Sequence, residues 1–260
     1  MSPRAVEAFA SADLIVAEDT RRARKLLSHC GVKAPVISYH RGNERSRDAK
    51  LLEALAGGST LVLITDAGMP GISDPGEELV RACIDRGVEI DCVPGPSAVL
   101  TALVLSGLPP GRFVFEGFLP RTKAARRRAY EALALEARTI VAFEAPHRLR
   151  ASLADASQIL GEERGVAVCR ELTKLHQEIW RGALAGAAEH WREVEPRGEF
   201  VLVIAGALAS DVEDEARDLI NEALGAGGST RDAAAAATPT GMTRKRAYDL
   251  ALELAKGTKD

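Results

Sequence analysis

Asp66 closes a short apolar run, Leu61-Val-Leu-Ile-Thr65, and glycines follow it at Gly68, Gly71 and Gly76 within one loop. That spacing suits a backbone cradle for a small ligand. Glycine lets the main chain approach a ligand and take φ > 0 without steric cost, and open parallel α/β sheets hold ligands beyond the carboxyl ends of their strands. Asp66 can accept a hydrogen bond from a hydroxyl or balance a cation. Asp74-Pro75-Gly76-Glu77 reads as N-cap, first helical residue and capping-box acid of the next helix. The loop has no Gly-Lys-Ser/Thr ending, so it places no lysine on a terminal phosphate, and it lacks the G-x-G-x-x-G spacing of dinucleotide sites. The plain alternative is an ordinary tight strand-to-helix connection.

A second loop of this kind is Val93-Pro-Gly-Pro-Ser-Ala98, where Ser97 can cap a helix or touch a ligand. Three polar clusters also follow apolar runs: Glu18-Asp19-Thr20-Arg21-Arg22, Glu144-Ala-Pro-His147-Arg148 and Arg170-Glu171-Leu-Thr-Lys174. Each puts acids and bases at one end of a strand. Capping acids and surface arginines explain any one of them; three together favour a site. Basic residues also gather at Arg21 to Lys25, Arg121 to Arg128 and Arg244 to Arg246. Phosphate contacts depend on such local patches rather than on the net charge of −3. Solvated helix faces are the plain alternative.

Positioning these groups requires an α/β scaffold. Apolar runs alternate with helical patterns: strands at 14–17, 36–39, 61–65 and 88–93, and helices at 21–30, 45–56, 77–85 and 97–106. This alternation predicts a parallel sheet with helices on its faces. Beyond Leu108-Pro-Pro-Gly111 the pattern gives strands at 113–118, 139–143, 165–170, 178–180 and 200–204, with helices at 122–137 and 147–160. After Gly206 an acidic helix (211–224), a Gly225-Ala-Gly-Gly228 joint and two short helices (229–237, 242–256) suggest a helix-turn-helix or a small cap. The expected division is 1–110, 111–208 and a helical tail, 209–260. A hydrophobic content of 46% over 260 residues supplies ample core. No apolar run approaches the roughly 18 residues that span a membrane, and no leader pattern precedes the first helix. The scattered cysteines (Cys30, Cys83, Cys92, Cys169) read as reduced, mostly buried thiols of a cytoplasmic protein. Neither they nor the histidines have metal-site spacing.

Taken together, these motifs resemble the ribose-methylating, ribosomal-RNA branch of the tetrapyrrole methylase family. The matching runs are Ala12 to Arg21, Thr65 to Gly76, Val93 to Ser97, Phe115 to Pro120, Glu144 to Leu149, Arg170 to Lys174 and Gly198 to Val203. The family pattern opens with an apolar strand and a Thr-Pro-Ile-Gly-Asn-like loop, whereas this sequence opens at Met1-Ser-Pro-Arg, within the helix that follows. The resemblance thus implies that one strand and one cofactor-facing loop of the pattern lie outside these residues.

The resemblance implies a two-domain α/β fold, a parallel-sheet amino-terminal domain and a mixed-sheet carboxyl-terminal domain, usually as a homodimer. It implies S-adenosylmethionine in the inter-domain cleft, lined by Asp66, Ala67, Gly68, Met69, Pro70, Gly71 and Ile72, with Ser97 and Ala98 continuing the wall. The implied substrate is the 2′-hydroxyl of a decoding-centre cytidine, position 1402 of 16S rRNA in the small ribosomal subunit. Transfer to a ribose hydroxyl benefits from a base or an oriented acceptor, for which Asp19, Glu144, Glu171 and Lys174 are candidates. Arg21, Arg148 and Arg170 could grip flanking phosphates, with Arg121 to Arg128 extending the grip. No metal or membrane is called for. Other readings stay open: the same fold acting on a tetrapyrrole or a modified protein histidine, and a non-catalytic RNA-binding chain. A helix-turn-helix regulator would need base-reading Asn or Gln on the last helix, which has none.

Overall fold

The computed structural model describes residues 1–66 and 68–257. It divides into two compact units, Met1–Ala98 and Val99–Asp260. In the first unit, Ser2 caps α1 (Pro3–Ser11) and Asp19 caps α2 (Thr20–His29). Between and beyond them run β1 (Leu14–Ala17), β2 (Val36–Ser38), α3 (Glu44–Ala56), β3 (Leu61–Ile64) and α4 (Glu77–Asp85). The strands form a parallel sheet in the order β2-β1-β3, with Val16 level with both Ile37 and Leu63. Alternation along β1 feeds two cores. Ile15 packs with Phe9 and Leu27 under α1 and α2, and Val16 packs with Leu51, Leu52, Leu79 and Cys83 under α3 and α4. Parallel pairing therefore sets the carboxyl ends of β1 and β3 side by side, Ala17 level with Ile64.

Two local expectations are corrected here. Residues 88–93 are not a strand: the sheet ends at β3, no strand among the described residues pairs with them, and an Arg4–Asp91 ion pair ties them to α1 instead. Asp74 does not cap α4. Gly76 occupies the N-cap position at φ 128, outside ordinary L-residue space, and its N–H donates to Glu44 Oε1 at 3.1 Å.

The second unit begins with α5 (Ala98–Ser106), from Val99 onward, and contains a five-stranded mixed sheet in the order β4-β5-β8-β6-β7. These strands are β4 (Phe113–Phe118), β5 (Thr139–Glu144), β6 (Gly165–Arg170), β7 (Glu178–Ala183) and β8 (Phe200–Ile204). Both faces are buried, so the central strands read as continuous apolar runs. Ile140, Val168 and Leu202 face α6 (Lys123–Ala132), α7 (Pro146–Leu160) and α8 (Leu184–Glu193), while Val141, Cys169 and Val203 face α5. Three tail helices, α9 (Ala209–Gly225), α10 (Thr230–Ala236) and α11 (Arg244–Gly257), close around a core of their own with Ile220 and Leu250 fully buried. No helix among the described residues is long and apolar enough to cross a membrane.

The basic run 121–128 is only partly a surface patch. Arg126 is buried and donates twice to Asp155 Oδ2, at 2.9 and 2.7 Å, and Arg127 reaches Asp155 and Gln158. Burial of a long apolar stem with its charge met by a carboxylate from α7 makes these two arginines part of the fold. Arg121 and Arg128 stay exposed.

Candidate functional site

In the first unit, the ends of β1 and β3 open onto a cavity of about 460 Å³ lined by residues including Glu18, Asp19, Arg22, Lys25, Thr65 and Asp66. Asp19 accepts from the Arg21 backbone at 2.7 Å and from its guanidinium at 3.0 Å, and that pairing holds its carboxyl down to about 2. Asp66 pairs with Arg22 at 3.3 Å, and its N–H points to Glu18 Oε2 at 3.5 Å. Glu18 belongs to the 18–22 motif, and its contact with the start of the glycine loop is tertiary.

The loop itself is built on positive φ, at Gly68 (82°), Gly71 (80°), Ser73 (64°) and Gly76 (128°). The Arg41 guanidinium donates to the Ser73 carbonyl and steadies that strained residue. A Cβ added at Gly68 would meet nothing within 4 Å, so the main chain there is open to a ligand, whereas one at Gly76 would lie 2.6 Å from Leu63 Cδ2. Met69, Pro70 and Gly71 are half-buried and Ile72 is exposed; Ala67 lies outside the described residues. Ser97 is half-buried and Ala98 exposed, at the start of α5.

Asp74 turns inward from this loop. Burial first, then the neighbouring Glu18, pushes its carboxyl up to about 6; Asp66 adds to this, and the Thr65 hydroxyl and Arg41 oppose it. The raised value means the folded state binds the proton more tightly than the unfolded one, so the site destabilises the fold once the carboxyl ionises. Its contribution is most favourable below about 4 and is lost as pH rises through about 6. Asp74→Asn should therefore raise the thermal midpoint relative to wild type at pH 8, and the advantage should vanish near pH 4. An equal difference at both pH values would refute the assignment.

In the second unit the register brings two of the polar clusters, 144–148 and 170–174, to one end of the sheet. Glu144 and Arg170 both lie level with Phe200, and Arg170 with Glu178. Glu144 is fully buried: its Oε1 accepts from Arg148 and from the Ala145 N–H, both at 2.8 Å, and its Oε2 carries no protein hydrogen bond. Arg148 is mostly buried and gives its other terminal nitrogen to the Leu119 carbonyl at 2.9 Å, so both terminal nitrogens are engaged within the protein while the buried Nε has no hydrogen-bond partner. Arg170 donates to the Arg197 carbonyl at 2.7 Å and pairs with Glu178 at 3.2 Å. Lys174 reaches Glu171 Oε1 and Glu199 Oε2, each at 2.8 Å. Partial burial alone would lower the Lys174 ammonium, but the two carboxylates outweigh it and raise it; Lys174 in turn holds Glu171 below its ordinary value. Arg121 is exposed just past β4, and Phe118, at the end of that strand, is 53% exposed with its ring centroid 5.4 Å from that of Phe143. Glu199 and Phe118 were not singled out from sequence. A lone acid after Gly198 gives no local signal, because its partner sits 25 residues upstream.

A model of the tetrapyrrole (corrin/porphyrin) methylases matches residues 1–188. The chain is 47% identical to the ribosomal RNA small subunit methyltransferase I of Synechocystis sp., over 98% of this chain and 93% of the relative. It is 38% identical to the protein of that name in Bacillus subtilis, over 96% of this chain and 88% of the relative. Among solved structures it is similar in fold to the methyltransferase CobJ (TM-score 0.60, 20% identity, covering 80% of this chain and 88% of that one). It also resembles a diphthine synthase (TM-score 0.61, 16% identity, covering 79% and 84%). A parallel sheet with a glycine loop at its strand ends, a mixed sheet beside it in the chain, and relatives this close leave one conclusion: the chain belongs to the tetrapyrrole methylase family, in the branch named ribosomal RNA small subunit methyltransferase I.

Proposed function

We propose that this chain methylates the ribose 2′-hydroxyl of the decoding-centre cytidine, position 1402 of 16S rRNA, in the small ribosomal subunit. S-adenosylmethionine supplies the methyl group on a positively charged sulfur, so the protein's task is to position and desolvate. The observation that carries the reading is the open, positive-φ loop after Asp66 at the carboxyl end of a parallel sheet, in a chain of this family. Asp66 and Gly68 to Ile72 would hold the donor mainly through main chain, with Ser97 and Ala98 completing the wall. Arg22 and Glu18 keep the start of that loop in place.

The four candidate acid–base groups are all engaged. Asp19 is tied to Arg21, Glu144 to Arg148, and Glu171 to Lys174. We assign them to orienting the loops and strands that meet RNA. Exposed Arg21 and Arg121 and half-buried Arg170 would meet phosphates, and Arg148 would act from within by fixing the start of α7. Phe118 offers its exposed ring to a nucleobase. Phe118→Ala should weaken binding to small subunits by about 1–3 kcal/mol, the usual worth of one base stack, while Phe118→Tyr keeps it; filter binding checks this. We further propose a homodimer acting in the cytoplasm.

The deciding experiment incubates the chain with radiolabelled S-adenosylmethionine and small subunits that lack the mark. Label should enter one ribose of 16S rRNA. Transfer to a tetrapyrrole instead would favour the other branch of the family. Calorimetry showing no uptake of the donor, with RNA still bound, would favour a non-catalytic RNA-binding chain.

A further inference from the structure

Among the described residues, the non-glycine positions with positive φ are Ser73 in the glycine loop, and Glu171 (48°) and Thr173 (64°) in the turn after β6. Such strain persists where surrounding contacts enforce it and marks sites where geometry matters. At the second place the enforcing contacts are visible. The Glu171 N–H donates to the Glu199 carbonyl at 2.9 Å, and the Glu199 N–H donates back to Glu171 Oε1 at 2.9 Å. Lys174 Nζ then bridges the two carboxylates. The arrangement needs Gly198, at φ 89, because a Cβ there would lie 2.6 Å from Glu171 Cγ and Cδ. A strained turn, a missing side chain and two carboxylates thus converge on one ammonium that is still 44% exposed.

We propose that Glu199, seated by Gly198, is a positioning residue that holds Lys174 as a fixed cation for an RNA phosphate at this end of the sheet. This rests on the RNA-methylating reading above and gives Lys174 a different task from that of a base. An ammonium is a compact point charge with three donors. Here Glu171 and Glu199 direct two of those donors, and the remaining one can meet a phosphate oxygen. Arg170, anchored on the Arg197 carbonyl and Glu178, stiffens the strand end beneath it.

Binding of unmarked small subunits, measured between about 50 and 200 mM salt, reads phosphate contacts directly. Lys174→Ala should flatten the slope of log affinity against log salt by about 0.7–0.9, the signature of one lost phosphate contact. Lys174→Arg should keep the slope and keep methyl transfer. Glu199→Gln, which preserves size and folding, should raise KM for subunits on the order of tenfold, the usual effect of losing one charge-assisted contact. Its kcat and its calorimetric affinity for S-adenosylmethionine should stay as in wild type. An unchanged slope in Lys174→Ala, a wild-type KM in Glu199→Gln, or loss of kcat in Lys174→Arg with binding intact would each overturn the proposal. A wild-type chain that binds subunits but transfers no methyl group would sink the enzymatic reading alone, and the slope comparison would still decide the clamp.

Discussion

Asp155→Ala should cost the second unit about 3–5 kcal/mol, the usual penalty for leaving a buried charge without its partner. The Arg126 and Asp155 side chains are only 5% and 7% exposed, and both Arg126 donors converge on Asp155 Oδ2. Once the carboxylate is gone, the guanidinium cannot reach water without unpacking α6 from α7, where Tyr130 and Ser152 also share a buried hydrogen bond of 2.8 Å. Against a typical folding stability of about 5–15 kcal/mol, the loss should lower the thermal midpoint by roughly 10 °C. The same logic predicts that Arg126→Met with Asp155→Leu recovers most of the loss, since an apolar pair needs no compensation. A midpoint for Asp155→Ala within about 2 °C of wild type would mean that water already reaches the pair. The double variant also guards the argument: if it were as unstable as the single one, packing rather than charge would be responsible.

What the sequence disclosed, and what it withheld, follows from where each signal lives. The runs Ile140 to Phe143, Val166 to Cys169 and Phe200 to Ile204 read as strands because both sheet faces are covered, so every position is apolar. The start of α2 was legible to within one residue, 21 against Thr20, whereas Asp19 reads in sequence as an acid of a polar cluster and its capping of the helix is seen only in the structure. Residues 88–93 instead alternate apolar and acidic side chains at their start, as a half-buried strand would, yet pairing is a tertiary event, and no strand among the described residues meets them. Helix α8 is absent from the sequence reading; its small residues make room for the Trp180 ring, 3.4 Å from where a Cβ on Gly186 would sit. The arginine run 121–128 looked uniform in sequence, but Asp155 lies 29 residues from Arg126 and converts it into a core residue. The candidate site divides the same way. Motif positions were visible, while Glu18, Asp74 and Glu199 gained their roles only from partners on other elements.

Gly76→Ala should reduce methyl transfer on the order of 10²-fold, the cost of misplacing a binding loop by about 1 Å. Two separate constraints meet at this residue. Its φ of 128 lies where an L side chain is strained, and a Cβ would press on Leu63 Cδ2 at 2.6 Å. The backbone can escape only by rotating the peptide whose N–H bonds to Glu44, and the Gly71 N–H is tied to the adjacent Pro75 carbonyl at 3.1 Å. Movement at Gly76 is thus passed back along the loop toward Asp66. Removing the clash but not the strain, with Leu63→Ala added to Gly76→Ala, should restore only part of the activity. Gly68→Ala is the comparison for stability alone, because its φ of 82 is also positive but its Cβ would meet no protein atom within 4 Å, only the space assigned to the donor. Its effect on folding should be on the order of 1 kcal/mol. Calorimetry with S-adenosylmethionine on all three variants separates donor binding from stability. Wild-type donor affinity and kcat/KM in Gly76→Ala would mean that the loop is a connection and nothing more, and the donor site would then have to be sought elsewhere in the chain.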